Sequence, residues 1–519
     1  MRQTFKYLLI AVCTMLTAAA CYKDLSTEST FQIPDIMVDT SLSDTLMLSY
    51  GDSLIIHPKI SQKDRSEEDL EYLWEMDLTA GLSTDRLELG DTKDLDYLVR
   101  CSPSSIPYTI TLTVTDKTTG YATIKSWKVY VARSLGEGIV VAYTRDGGKT
   151  SELDLISNAS ITYGFSGDEG KVTRNLFNLG NNMPIEGRVN DMGCYAGCNQ
   201  STYDVGYFAI GTDHHLYGLD YSSFAVTMKD EEFFTIGAPG AFGTTVIANY
   251  AQYGTMIVTD GTAYCISSNM EYLFHPVSGD LSKGGARIGT LAYVKTSGSA
   301  VSIYDEEQQA FYSGMAWSMP QSGLSKISSI IYPEPPRGLK ILGCGGGRND
   351  YLYYVIEFAN GTHYLMELNA TLLTPSASFY SLDGCEGIAE ARNFCFTDAG
   401  SVFYYTSGNK MYYNIIASSG VTCRAASWTP ESEDEQVTRI KTYYQAWYGI
   451  MDYMGVRGDY PFPLETNRKQ LIITTYNEKT GEGKVYLQPF SPSTGRPGTT
   501  LNGVFSGFGE ITAIEPLLK

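Results

Sequence analysis

Basic residues are scarce in this chain, and their shortage excludes one class of partner. Lysine and arginine number 38 against 58 aspartates and glutamates, so the formal net charge is −20 at pH 7. A surface of that sign repels the phosphate backbones of nucleic acids, which proteins bind mainly through lysine and arginine. We therefore expect no nucleic-acid partner.

Motifs that carry chemistry are also missing. The chain has only five histidines and contains neither an H-E-x-x-H motif nor a P-loop. The glycine-rich run from Gly343 to Arg348 lacks the Gly-Lys-Ser/Thr ending and is interpreted as a loop. His214 and His215 fall in a predicted hairpin, where neighbouring side chains point to opposite faces of a strand, which disfavours a shared metal. The sequence predicts a protein that is not an enzyme, with no catalytic residue, no metal and no cofactor.

Long apolar runs are absent after the N-terminus, which itself has the pattern of an export signal. Arg2 and Lys6 precede an apolar stretch that ends in three alanines and is too short to span a bilayer. Cys21 follows those alanines directly, as lipid modification requires. We predict a signal peptide over residues 1–20 and a lipid on Cys21 as the only membrane attachment. Ala18 stands where a lipobox usually has leucine, so simple secretion is the alternative.

The remaining cysteines do not indicate a dense disulfide framework, because they are widely scattered. Cys194 and Cys198 form the closest pair in the mature chain. They are interpreted as two buried free thiols, with a disulfide between them as the alternative. Zinc is disfavoured there because no second cysteine pair is near and histidines are few.

Residues 35–134 have the pattern of a small β-sandwich, which follows a polar, flexible anchor segment at residues 21–34. Tyr108, Ile110, Leu112 and Val114 alternate with threonines, the period of a half-buried strand. Six or seven such short strands in this length predict an immunoglobulin-like sandwich, with Trp74 as its core aromatic residue.

Residues 135–519 repeat one pattern seven times. An apolar run, a turn of Gly, Asn or Asp and a second apolar run begin at Ile139, Tyr207, Met256, Val301, Tyr353, Val402 and Leu471. Asn-Gly and Asp-Gly suit tight hairpins, because the central residues of such turns need positive φ. A repeat of roughly fifty residues without long helices predicts a β-propeller. Seven blades are favoured, six or eight are possible, and two stacked sandwiches are the alternative; the strand near Ile511–Ile514 is expected to complete the first blade.

The N-terminal region resembles a known family in the run from Gly51 to Ser53, in Asp69–Trp74, in Val114–Asp116 and in Thr119–Tyr121. These segments, with Leu153–Ile156 and the opening Cys21-Tyr22, are similar to the PKD-like family of Bacteroidota lipoproteins. The resemblance implies a PKD-like sandwich and an accessory of SusC/SusD-type outer-membrane importers that take up glycans or peptides. Lys23 and Asp24 resemble the signal that directs such lipoproteins to the outer face of the outer membrane.

Aromatic residues are plentiful, with 39 tyrosines, 20 phenylalanines and 5 tryptophans, and exposed rings provide contact area at low entropic cost. The best candidates for binding lie outside the predicted hairpins, several of them in a long interruption before Leu471. They are Trp317, Trp428, Tyr443, Tyr444, Trp447, Tyr448, Tyr460 and Phe462.

The sequence therefore predicts a surface lipoprotein whose partners are SusC/SusD-like transporter components and an oligosaccharide or peptide ligand. Two other functions stay open. One is a propeller-fold hydrolase of surface polymers, and the other is a structural or adhesive spacer.

Overall fold

The computed structural model describes residues 34–517 except for several segments between them. Those segments are 50–51, 102–103, 133–136, 166, 168, 197–204, 221–222, 236–237, 250–254, 267–272, 278–280, 282–287, 294–299, 316–322, 349–350, 371–374, 398 and 446–463. Cys21 thus lies outside the described residues. The fold is all-β, as predicted, and the chain divides into two compact units, one ending at Ala132 and the other beginning at Arg133, with Ser49–Gly51 grouped with the second.

The described residues of the first unit form nine strands. They are β1 (Ile36–Asp39), β2 (Thr45–Ser49), β3 (Ser53–Ile56), β4 (Lys59–Gln62), β5 (Leu70–Thr79), β6 (Leu82–Gly90), β7 (Leu95–Leu98), β8 (Ser104–Asp116) and β9 (Ala122–Ala132), with a 3₁₀ turn at Glu67–Asp69. A five-stranded sheet has the order β2-β9-β8-β5-β6, and β1-β4 and β3-β7 form two small antiparallel pairs.

The core of this unit follows from the alternation in its strands. Tyr108, Ile110, Leu112 and Val114 on β8 are buried. Trp74, on the neighbouring strand β5, is fully buried, which confirms its predicted place in the core. Its ring stacks on Trp127 with 5.4 Å between centroids.

All seven predicted hairpins are present in the second unit. They are β10 (Gly138–Thr144) with β11 (Thr150–Ser157), β15 (Val205–Thr212) with β16 (Leu216–Leu219), β19 (Thr255–Thr259) with β20 (Thr262–Cys265), β23 (Ala300–Asp305) with β24 (Ala310–Met315), β27 (Leu352–Glu357) with β28 (His363–Asn369), β31 (Val402–Ser407) with β32 (Lys410–Ala417), and β35 (Gln470–Asn477) with β36 (Glu482–Pro489). Each hairpin supplies the two middle strands of one sheet.

An inner and an outer strand complete each sheet. The inner strands are β38 (Glu510–Leu517), β14 (Val189–Ala196), β18 (Thr245–Asn249), β22 (Ile288–Tyr293), β26 (Lys340–Gly346), β30 (Arg392–Phe396) and β34 (Glu435–Thr442). The outer strands are β12 (Lys171–Thr173), β17 (Val226–Lys229), β21 (His275–Pro276), β25 (Ser325–Lys326), β29 (Ser376–Ser381), β33 (Gly420–Trp428) and β37 (Gly503–Phe508). The short strand β13 (Ile185–Glu186), helix α1 (Leu176–Asn181) and 3₁₀ turns at Asp230–Phe233 and Ile388–Glu390 lie between them.

The sheets follow one another as in a β-propeller. Each inner strand contacts the inner strand of the next sheet, in the order β38, β14, β18, β22, β26, β30, β34 and back to β38. The last strand, β38, pairs with β10 at the start of the unit, as expected from the sequence. Hydrophobic clusters fill the spaces between neighbouring sheets, so strands such as β10 are buried along their whole length.

One sequence interpretation is wrong in this unit. Gly343 and Gly345 lie in strand β26 and not in a loop. A β-carbon on Gly343 would come within 2.5 Å of Phe394, and one on Gly345 within 2.6 Å of Phe396, so glycine lets this strand pack closely on the next sheet. His214 and His215 lie in the turn of the predicted β15–β16 hairpin, and His215 Nδ1 is 2.8 Å from Asp230 Oδ2.

Among the described residues, the cysteines form one disulfide, which the sequence interpretation missed. Cys385, in the connection from β29 to β30, is bonded to Cys423 on β33. Cys194 lies in β14, and Cys198 is outside the described residues. Because a disulfide depends on the distance between two Cα atoms, widely spaced cysteines in the sequence reveal no pairing.

No helix among the described residues has the length and apolar character needed to cross a membrane.

Candidate functional site

A cleft lies where the first and last sheets of the second unit meet. Three connections line it: the segment between β11 and β12, the end of the segment between β34 and β35, and the segment between β36 and β37. The cavity has a volume of about 480 Å³. The lining residues are Asn158, Ala159, Ser160, Phe165, Gly167, Glu169, Gly170, Leu464, Glu465, Thr466 and Asn502. We call it the seam cleft.

The Asn158 side chain stabilises the part of the seam cleft that the β11–β12 connection forms. Its Oδ1 accepts hydrogen bonds from the backbone N–H and the hydroxyl of Ser160, at 2.6 and 2.7 Å. Its Nδ2 donates to the carbonyl oxygen of Asn502 at 2.9 Å. Asparagine favours such turns because its short side chain bonds to the backbone two residues on. One buried side chain therefore shapes a turn and joins it to a distant segment.

The other part of the seam cleft is fixed by hydroxyl and amide groups. The Thr466 hydroxyl donates to the carbonyl oxygen of Ser160. Asn502 Nδ2 donates to Oε1 of Gln470, a fully buried residue at the start of β35. Side chains from segments far apart in the chain are therefore held in one arrangement before any ligand binds, which lowers the entropic cost of binding.

A buried network of hydrogen bonds joins segments that adjoin the seam cleft. Gln445 Nε2 donates to both carboxylate oxygens of Glu137 at 2.9 Å, and Gln445 Oε1 accepts from the backbone N–H of Leu464 at 3.1 Å. Glu137 also accepts from the backbone N–H of Tyr163 at 3.0 Å. Charge-assisted hydrogen bonds of this kind are stronger than neutral ones. The network links the start of β10 to the segment that precedes β35.

The chemistry of the seam cleft is polar and acidic, with one aromatic ring. Phe165 is half-buried, and Glu169 and Glu465 are exposed. Among the lining residues that the structure describes, none is lysine, arginine or histidine. Amides, hydroxyls, carboxylates and a ring can together bind a ligand that carries many hydroxyl groups.

Tyr443 corrects one of the sequence predictions. The sequence predicts an exposed side chain, but only 1% of its surface is accessible, and its hydroxyl donates to the carbonyl oxygen of Ile161 at 3.2 Å. Burial raises the pKa of Tyr443, and the Glu137 carboxylate adds to the effect. The side chain supports the seam cleft without lining it, because the aromatic ring fills the core between two sheets.

Tyr444 contacts a separate group of charged side chains on the inner strands. Its hydroxyl donates to Glu515 Oε1 at 2.7 Å, and Lys441 forms an ion pair with the same carboxylate. Asp191, on β14, accepts a backbone hydrogen bond from Ile247 at 2.9 Å. Burial raises the pKa of Asp191, although Lys441 opposes the shift. These contacts involve the inner strands of four sheets, β34, β38, β14 and β18, so we interpret the group as structural.

The other predicted binding residues are not brought together by the described part of the structure. Trp428 ends β33, where it pairs with Met411 near the turn of the β31–β32 hairpin, and its ring packs against Tyr486 at 5.3 Å between centroids. Trp317, Trp447, Tyr448, Tyr460 and Phe462 lie outside the described residues, so their binding roles stay predictions.

Sequence reasoning missed Asn158, Ser160, Phe165 and Asn502. For Asn158, Ser160 and Phe165, the available signal was the length and polarity of the connection from Asn158 to Gly170. This connection joins strands β11 and β12 of one sheet. No signal linked it to Asn502. Within the described residues, no group of three or more His, Cys, Asp or Glu side chains is placed to hold a metal ion.

Comparison with known proteins finds a family similarity in the N-terminal region. Residues 21–188 match the model of the PKD-like family. This range includes the nine described strands of the first unit and continues through the first hairpin of the second. No curated protein matches the chain significantly.

Solved structures with low similarity cover more of the chain. AztD from Citrobacter koseri is 11% identical, covering 86% of this chain and 98% of its own, with a TM-score of 0.38. Hsv2 from Kluyveromyces lactis is 9% identical, covering 61% and 98%, with a TM-score of 0.32. The dihydro-heme d1 dehydrogenase NirN is 8% identical, covering 78% and 72%, with a TM-score of 0.36.

Proposed function

We propose that this chain is a lipid-anchored surface protein that binds a nutrient ligand without transforming it and assists a SusC/SusD-type outer-membrane importer. The observation that carries the proposal is the seam cleft, a preformed cavity of about 480 Å³ lined by amide, hydroxyl, carboxylate and aromatic groups. Cavities of this size with a few placed polar groups are typical small-ligand sites. The match of residues 21–188 to the PKD-like family supports an accessory role.

The proposal treats the seven sheets of the second unit as seven blades of a closed propeller. In that architecture the strands form a rigid ring, and the connections at its ends are free to carry a binding site. The seam cleft uses the place where the first and last blades meet. Hydrogen bonds from Asn158 to Asn502 and from Thr466 to Ser160 join the connections that form the site.

Export and lipid anchoring are part of the proposal. The signal-like N-terminus and Cys21 support them, and so does the Cys385–Cys423 disulfide, because such bonds persist mainly in oxidising compartments. The test is metabolic labelling with an alkyne fatty acid. The wild type and a Cys13→Ser control should be labelled, and Cys21→Ser should not. Label retained in Cys21→Ser would contradict the anchor.

The importer role is tested by purifying the full-length chain from native outer membranes with a cleavable cross-linker. Recovery of a TonB-dependent barrel and its lid lipoprotein supports docking. The importer role is contradicted if the chain recovers neither protein and does not protect their surface-exposed residues from protease.

One observation favours a second function. Glu169 and Glu465 line the same cleft, and two carboxylates flanking a bond are the catalytic arrangement of many glycosidases. A hydrolase would release reducing ends from a polymer, and Glu169→Gln and Glu465→Gln would each abolish that release. The binding function predicts no release by the wild type.

A further inference from the structure

The charge of the seam cleft limits the ligand that it can accept. Its described lining includes two exposed carboxylates, Glu169 and Glu465, and no positively charged side chain. The whole chain adds a net charge of −20. Polymers with regular carboxylate or sulfate groups would meet repulsion of one sign, without a cation to pair with. The described lining therefore disfavours acidic glycans and anionic peptides.

The polar groups of the lining suit hydroxyl partners. Asn502 uses its Nδ2 within the protein, which leaves its side-chain carbonyl oxygen available to accept a hydrogen bond. The Thr466 hydroxyl donates to Ser160 and can still accept. Carboxylates are also strong acceptors for hydroxyl donors. A ligand rich in O–H groups satisfies more of these atoms than one rich in anions.

Phe165 gives the seam cleft one apolar surface. Its ring lies against Gly167, where a β-carbon would come within 2.8 Å of the ring edge, so the absence of a side chain there sets the position of the ring. A half-buried ring beside polar groups provides a flat contact for the apolar face of a sugar. Strand addition, a common mode of binding extended peptides, needs the free edge of a strand, whereas connections between strands form this cleft.

Resting on the proposed function, we propose that the seam cleft binds an uncharged oligosaccharide, with Phe165 stacked on a sugar face and Thr466 and Asn502 bonded to hydroxyl groups. Glu169 and Glu465 give the site its preference for neutral over acidic glycans. The proposal names a ligand class for one site and is independent of whether the chain docks on an importer.

The test is calorimetric titration of the full-length protein in detergent micelles. The neutral probes are maltohexaose, cellohexaose, xylohexaose and mannohexaose, the acidic probe is hexagalacturonate, and the peptide probe is a capped, uncharged hexapeptide. At least one neutral probe should bind, and hexagalacturonate should bind at least tenfold more weakly at low salt, with the difference shrinking at high salt. Glu169→Gln with Glu465→Gln should reduce that difference.

Phe165→Ala should weaken binding of the neutral probe about tenfold, because the stacking surface is lost. Tyr163→Ala is the matched control: it removes a ring from the same connection, outside the lining, and keeps the backbone N–H that bonds to Glu137. It should leave affinity unchanged. Equal circular-dichroism melting curves exclude misfolding as the cause.

The outcomes separate this inference from the proposed function. Tighter binding of hexagalacturonate, or binding of the peptide that Phe165→Ala abolishes, overturns the ligand class and leaves nutrient capture standing. If none of the probes binds while the chain recovers an importer from membranes, the inference fails and the accessory role stands. Failure of both experiments overturns both.

Discussion

Strand β9 in the first unit alternates between buried and exposed residues, whereas β10 in the second unit is buried at every position. In the first unit the five-stranded sheet covers one core, so Trp127 is buried while Ile124 on the same strand is 65% exposed. In the second unit each sheet is packed between two others. The first unit therefore depends on its own small core, and each sheet of the second depends on its neighbours.

The largest effect should come from the core of the first unit. Trp74→Ala removes a fully buried ring that stacks on Trp127, and substitutions of this kind cost about 3–5 kcal/mol of unfolding free energy. Hydrogen exchange followed by mass spectrometry should show faster exchange in β5, β8 and β9. Exchange in the second unit should not change. Equal acceleration in both units would show that they unfold together.

The second unit should respond to loss of its disulfide. Cys385→Ser with Cys423→Ser releases the link between the β29–β30 connection and β33, and removal of a native disulfide of this loop length costs about 2–4 kcal/mol. The midpoint of chemical denaturation should fall for the second unit and stay constant for the first. Cys101→Ser, a half-buried free cysteine of the first unit, is the control. A double variant as stable as wild type would contradict a stabilising bond.

The smallest effect concerns pH and belongs to the second unit. Burial raises the pKa of Glu152 to about 7, although backbone N–H groups of Leu153, Asn178 and Phe177 oppose the shift. Because the folded pKa exceeds the unfolded one, the stabilisation is complete below about pH 4.5 and is lost as pH rises through 7. The loss should be about 1–3 kcal/mol, and Glu152→Gln should remove it. Thermal unfolding between pH 5 and 8 measures this, and a wild type with the same slope as Glu152→Gln would contradict it.

The difference between the units also explains which features could be predicted from sequence. Hairpins were predictable because Gly, Asn and Asp turns between apolar runs are local signals. Trp74 was predictable because alternation marks the buried face of a strand. Tyr443 was not, since a tyrosine after a strand can be exposed or buried and only its packing between two sheets decides. The strand position of Gly343 and Gly345 was not predictable either, because glycine marks both turns and close packing of strands.

By itself, the sequence determined the all-β class, the seven hairpins and the core tryptophan of the first unit, because each depends on residues close together in the chain. It also placed Cys21 behind a signal-like segment, and this prediction needs no fold. Only the tertiary structure decided the Cys385–Cys423 bond and the seam cleft. Asn158, Thr466 and Asn502 meet there because β38 pairs with β10 and brings the ends of the second unit together. Contacts between residues so distant in the chain leave no periodic pattern in the sequence.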